Sequence, residues 1–178
     1  MITIVSSSLS SDSNSRLLAQ AARRVLEQDG EAVTWLDLRE HVLPLCDGET
    51  TYNHPQVARV EQALSAADGI LVATAIYNYD ANAALKNLIE LTGDAWEDKV
   101  VGFLCAAGGT SSYMSIMALA NSLMLDFRSL IVPRFVYATG KAFAEGRIVD
   151  ADQSRRVEEL ARATARLAKL TRGAASSA

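Results

Sequence analysis

Short apolar runs and helical stripes take turns along the chain. Ile2-Thr3-Ile4-Val5 is a β-branched run that ends in the polar stretch 6–15, after which Leu17, Leu18, Ala21, Ala22 and Val25 recur at helical spacing. The pattern predicts strand, loop and helix. Gly30 stops that helix, and residues 32–38 read as a second strand that alternates at first. Residues 39–54, with Pro44, Gly48 and few periodic positions, are expected to be irregular. Val57, Val60, Leu64 and Ala67 form one helical stripe, and Gly69 leads into Ile70-Leu71-Val72-Ala73-Thr74-Ala75, a nearly continuous apolar run of the kind found in strands covered on both faces.

The alternation continues with a helix over 82–91, carrying Leu85, Leu88 and Ile89, and a fourth apolar strand over 99–107 that runs into Gly108-Gly109. Over 112–127 the apolar residues Met114, Ile116, Met117, Leu119, Leu123, Met124 and Leu125 go nearly all the way round a helix, so cover on both of its faces is expected. Residues 130–138 can form a fifth strand, with Pro133 marking an edge or a bulge. The last helix, 152–172, puts Val157, Leu160, Ala161, Thr164, Leu167 and Ala168 on one face and Arg155, Glu159, Arg162, Arg166 and Lys169 toward solvent. Residues 173–178 are expected to form a flexible tail. Strands alternating with helices imply an α/β fold, a parallel sheet doubly wound with helices on both faces, because parallel neighbours need right-handed crossovers. No repeat with a period of about 20–50 residues is present, which excludes a solenoid. In such a sheet ligands sit beyond the carboxyl ends of the strands.

Composition narrows the function classes. A length of 178 residues, 49% hydrophobic and 21% charged, suits one globular domain over 1–172. The net charge of −4, with basic residues not gathered into a block, disfavours nucleic acid and anionic membranes as partners. Cys46 and Cys105 lack CxxC spacing and support neither a disulfide framework nor a zinc site, so no metal is expected and a reducing compartment fits. The amino end shows no basic leader, and no apolar stretch approaches the roughly 18 residues of a membrane span, so a soluble cytoplasmic protein is expected. His41 and His54 sit in the loop-rich region and suit structural roles; Cys105 reads as a core residue, and Trp35 and Trp96 as packing anchors.

Three loops at strand ends carry the candidate chemistry. The first, 6–15, is rich in serine and precedes a helix directly, so free backbone amides beside small hydroxyls make a site for an anion such as phosphate. The same residues suit a helix start capped by Ser13 or Asn14. Neither GxxxxGK[ST] nor GxGxxG is present. The second loop, 74–80, ends a strand in Tyr77 and Asn78, an aromatic wall and an amide suited to a planar heteroaromatic ligand; Tyr79 equally suits an interface, and Lys86 behind it a solvated first turn. The third, 106–112, contains Gly108-Gly109, which offers donors without side-chain bulk, although two glycines after a strand more often mark a plain tight turn.

In order and spacing, the serines from Ser8 to Ser15, Tyr77-Asn78 with Leu85-Lys86-Asn87 behind it, and Gly108-Gly109-Thr110 resemble the NAD(P)H-dependent FMN reductases of the flavodoxin-like fold. The resemblance runs from the first strand to about Val136. It implies a five-stranded parallel sheet of order 2-1-3-4-5 and a non-covalent FMN, with NADPH or NADH as co-substrate. The phosphate would lie on Ser8, Ser10, Ser13, Asn14 and Ser15, with Arg16 nearby. Tyr77 and Asn78 would flank the ring system, Ala75 and Ile76 would offer backbone donors, and Ala107, Gly108, Gly109 and Thr110 would approach its pyrimidine edge. Two departures stand out: Ser10 occupies a position where the family commonly has arginine, and Ala75-Ile76 replaces a Pro-Glu-like pair. A charge-assisted contact is roughly twice as strong as a neutral one, so weaker phosphate binding follows from the first.

The resemblance further implies hydride transfer from nicotinamide to flavin and onward to an acceptor, with ping-pong kinetics and a homodimer or homotetramer. The flavin carries the chemistry, so no catalytic side chain is expected. Alternatives are an FMN-containing quinone, azo or metal-oxyanion reductase, a flavodoxin-like electron carrier or redox-sensing module without nicotinamide turnover, and a fold relative that has lost flavin.

Overall fold

A computed structural model of the chain describes residues 1–175, with side chains described through residue 172. The β-branched run at the amino end forms β1 (Ile2–Ser6), buried along its whole length. The polar stretch after it leads into α1 (Asn14–Gln28), and the chain returns as β2 (Val33–Asp37), parallel to β1. α2 (Pro55–Ser65) then carries the chain to β3 (Gly69–Tyr77), on the other side of β1.

β3 is longer than the apolar run suggests. It continues through Tyr77 and folds back on β4 (Asp80–Ala81), pairing Tyr77 with Asp80 and Ile76 with Ala81. The expected open loop over 74–80 is therefore corrected to a strand end and a tight hairpin, with Asn78 and Tyr79 both at positive φ (51° and 64°) as a two-residue turn of this twist requires. Asn82 then caps α3 (Ala83–Thr92), its side-chain oxygen accepting from Leu85 N at 3.0 Å.

β5 (Val100–Ala107) pairs in parallel with β3. α4 (Ile116–Phe127) follows it, beginning later than position 112 because residues 111–115 are turns. The fifth strand is divided into β6 (Leu130–Ile131) and β7 (Val136–Thr139), both parallel to β5. Val101 faces Ile131 and Leu104 faces Val136, so two extra residues are inserted opposite β5. Pro133, which has no N–H to give to a ladder, and Arg134, at φ 61°, lie in that insertion. The sheet order is thus β2-β1-β3-β5 with β6 and β7 beyond, the expected 2-1-3-4-5 altered by the split fifth strand and the added β4.

A small hairpin, β8 (Phe143–Ala144) and β9 (Arg147–Ile148), turns at Glu145 and Gly146 and precedes α5 (Ala151–Ala175). α5 continues past residue 172 through Ala175, and residues 176–178 of the expected tail lie outside the described residues.

Because successive strand residues point to opposite faces, the sheet builds two cores. Ile4, Leu71 and Leu104 pack with Leu18, Ala22, Leu160 and Ala161 from α1 and α5. Val5, Val72, Phe103 and Cys105 pack with Val60, Leu88 and Leu119 from α2, α3 and α4. α5 approaches β5 closely at Gly102, where a Cβ would lie 2.7 Å from Thr164 Oγ1 and 3.0 Å from Leu71 Cδ2. Thr164, the one polar member of that apolar stripe, is fully buried and donates to Leu160 O at 2.8 Å, which satisfies its hydroxyl. Among the described residues, cover on both faces of α4 is not found. Ile116, Leu119, Ala120 and Leu123 are buried, while Met117, Met124 and Leu125 are exposed, because a helix laid on one side of an open sheet buries only one stripe.

Candidate functional site

The polar stretch after β1 is organised by its own side chains. Ser13 caps α1, its Oγ accepting from Arg16 N at 3.2 Å, and Ser13 Oγ also pairs with Ser15 Oγ at 3.0 Å. This leaves the amides of Asn14 and Ser15, the first two of the helix, at its open end. No acidic residue occupies the first turn itself, and Asp12 stands one residue before the cap. Ser8 Oγ accepts from Ser10 N at 3.4 Å, leaving its own hydrogen to donate elsewhere. One hydrogen of the Ser13–Ser15 pair is likewise available. Ser7 is different: it is buried, and its Oγ donates to Ala73 O, stitching β1 to β3.

Arg16, in the first turn of α1, is turned inward. It is 9% exposed, and its guanidinium donates to Asp37 and to the carbonyls of Ser8 and Ser10. The expectation of Arg16 beside a phosphate is corrected accordingly: Asp37, at the end of β2, draws the side chain behind the turn.

Across the sheet, the hairpin holds Tyr77, the last residue of β3, 55% exposed beside its turn, with Ala75 and Ile76 buried just before it. The third strand end is held from behind as well. Tyr137, 7% exposed on β7, donates to Gly109 O at 2.6 Å and lies 2.7 Å from Ser112 Oγ. Tyr113 meets the Tyr137 ring edge-on at a centroid distance of 5.4 Å. A Cβ at Gly108 would meet nothing within 4 Å, so the glycine leaves open space.

These strand ends enclose one cavity of about 640 Å³. It is lined by the first-loop residues Ser8, Ser10, Ser13, Asn14 and Ser15, by Ala75, Ile76, Tyr77 and Asn78, and by Ala107 and Gly108. Gly109 and Thr110 stand apart from it; Thr110 lines a neighbouring pocket with Tyr113 and Tyr137. Asp12, Ala106 and Gly140 line the cavity and were not singled out from the sequence. Asp12 and Ala106 adjoin residues that were, whereas Gly140 reaches the cavity from beyond β7, and no local signal marks it. Among the described residues that line the cavity, Asp12 is the one that carries a charge.

The other reactive residue types lie elsewhere. His54 caps α2 through Nδ1, 3.2 Å from Gln56 N. Trp96 is fully buried and donates to Thr92 Oγ1 at 3.0 Å, and Trp35 packs under the guanidinium of Arg23. Burial pushes the Cys105 thiol far up, so it stays protonated and unreactive. Among the described residues no cluster of His, Cys, Asp or Glu could hold a metal, and no helix is long and apolar enough to cross a membrane.

Comparison with known proteins bears on what this cavity holds. The family described as NADPH-dependent FMN reductase matches the chain over residues 1–144. An NAD(P)H-dependent FAD/FMN reductase of Geobacillus thermodenitrificans is 31% identical over 150 residues, covering 82% of this chain and 79% of the relative. Among solved structures, an oxidoreductase of Corynebacterium diphtheriae is similar at 26% identity with a TM-score of 0.74, covering 96% of this chain and 95% of that one. The flavoenzyme NAD(P)H:(acceptor) oxidoreductase FerB of Paracoccus denitrificans shares the fold, with a TM-score of 0.79 at 18% identity, covering 96% and 97% of the two chains.

Proposed function

The chain belongs to the NADPH-dependent FMN reductase family, an oxidoreductase family, and from that premise we propose that it binds FMN without a covalent bond in the cavity beyond β1, β3 and β5. The observation that carries this reading is the meeting in one cavity of an amide-and-hydroxyl turn, an aromatic strand end at a hairpin and a strand end of small residues. Its volume of about 640 Å³ suits a ligand of this size, since pockets for such molecules run to about 300–1,000 Å³. The donor set fits the two ends of FMN separately. The amides of Asn14 and Ser15 and the hydroxyl hydrogens of Ser8 and of the Ser13–Ser15 pair would receive the phosphate. Tyr77 would form a wall for the ring system, and the open space at Gly108 would let the backbone approach the ring edge.

When bound, FMN supplies the capacity to take up a hydride from NADPH or NADH and to pass electrons to a small acceptor such as a quinone, an azo compound or a metal oxyanion. The chain's own residues would bind and orient it. We also propose that the protein acts as a homodimer or homotetramer, supported by the apolar side chains of Met117, Met124 and Leu125 exposed on α4.

Titration with FMN followed by flavin fluorescence, and then anaerobic addition of NADPH or NADH with absorbance recorded in the flavin's visible band, tests the reading. Quenching on binding, followed by bleaching faster than in an enzyme-free control, is expected. Quenching without bleaching would point to an electron carrier, and no quenching would mean that the three strand ends mark a fold without its cofactor.

A further inference from the structure

We propose that Arg16 is a positioning residue for the flavin phosphate, acting on the binding turn from behind and never on the phosphate itself. The inference rests on the cavity being an FMN site and concerns how that site tells phosphorylated from unphosphorylated flavin.

Arg16 lies in the first turn of α1, beside the anion-facing amides, yet it is not among the residues that line the cavity. Its side-chain hydrogen bonds run to Asp37 and to the peptide carbonyls of the turn. Nε donates to Asp37 Oδ2 at 2.6 Å and Nη2 to Asp37 Oδ1 at 3.3 Å, while Nη1 holds Ser10 O and Nη2 holds Ser8 O, each at 2.8 Å. Asp37 is 4% exposed and is itself fixed, because its Oδ1 also accepts from Arg39 N at 3.0 Å. The positive charge of Arg16 is therefore spent on a buried carboxylate and on two peptide carbonyls.

That arrangement decides the polarity of the turn. A peptide that turns its carbonyl into the cavity would set a negative dipole end against the phosphate. With the carbonyls of Ser8 and Ser10 both drawn onto the guanidinium, neither is turned toward a phosphate in the cavity. Geometry matters more here than in a site with a cation, because among the described residues no basic one lines the cavity and Asp12 is the charged residue that does. Only a planar fork of donors can hold two carbonyls and a carboxylate at once; a lysine, a compact charge with three donors on a flexible stem, cannot reproduce it.

The test is equilibrium titration with FMN and with riboflavin, which lacks the phosphate, by fluorescence quenching. It is applied to the unaltered protein, to Arg16→Lys, and to the double variant Arg16→Gln/Asp37→Asn, which leaves no uncompensated buried charge. Circular dichroism and thermal unfolding identify the folded variants. The unaltered protein is expected to prefer FMN, and a folded variant to lose about tenfold or more in FMN affinity while its riboflavin affinity stays within about threefold. Equal loss for both flavins, or unchanged FMN affinity, overturns the assignment, as does unfolding of both variants, which would make the role of Arg16 purely structural. Equal affinity of the unaltered protein for the two flavins overturns it too, while leaving the cofactor reading intact. Binding of neither flavin by the unaltered protein overturns the cofactor reading and this inference with it.

Discussion

Ser10 stands exposed on the turn after β1, its carbonyl held by Arg16 and its hydroxyl donating to Asp12 O at 3.1 Å. A longer side chain there meets solvent rather than the core, so Ser10→Arg is tolerable and places a cation beside a turn whose cavity lining has none. Tighter FMN binding with a steeper dependence on salt is expected, because a charge-assisted contact is screened where a dipolar one is not. Titrations at low and high ionic strength check this, and an unchanged affinity would place the phosphate elsewhere. The candidate residues of the first loop were legible because serines before a helical stripe are a local signal of a capped, anion-ready helix start. The role of Arg16 was not. It depends on Asp37, 21 positions further on, which reaches Arg16 only once β2 has paired with β1.

Between elements, the tightest constraint is where α5 crosses β5. Gly102→Ala would force its new methyl against Thr164 Oγ1 at 2.7 Å, and Thr164 is held by its own bond to Leu160 O. A loss of about 1–3 kcal/mol is expected, the usual cost of overpacking a core, read as a lower denaturant midpoint with an unchanged slope. An unchanged midpoint would show that α5 can lift away from the sheet. The main helices and strands follow from periodicity, and α1, α2 and α3 begin close to where their stripes do. The hairpin at Asn78 and Tyr79 escaped notice because the usual sign of such a turn is a glycine, and none is present there. At Glu145-Gly146 a glycine does stand in the second hairpin, but its strands of two residues are too short to show a pattern.

For the molecule as a whole, the exposed Met117, Met124 and Leu125 of α4 mark the face on which self-association is proposed. Size-exclusion with light scattering at micromolar protein is expected to give a multiple of 19.1 kDa, and a mass near 19.1 kDa would remove the proposed assembly. The sequence by itself determined the alternation of strands and helices, the two-faced burial of the inner strands and the candidate loops. Each of these is written in spacings of a few residues, set by the 2.0 and 3.6 periods of the backbone. Only the tertiary structure decided that the fifth strand breaks around Pro133 yet keeps both halves on β5, that Gly140 comes to the cavity from beyond β7, and that Arg16 turns to Asp37. Those outcomes depend on which distant strand ends the parallel crossovers bring side by side, and no local spacing records that.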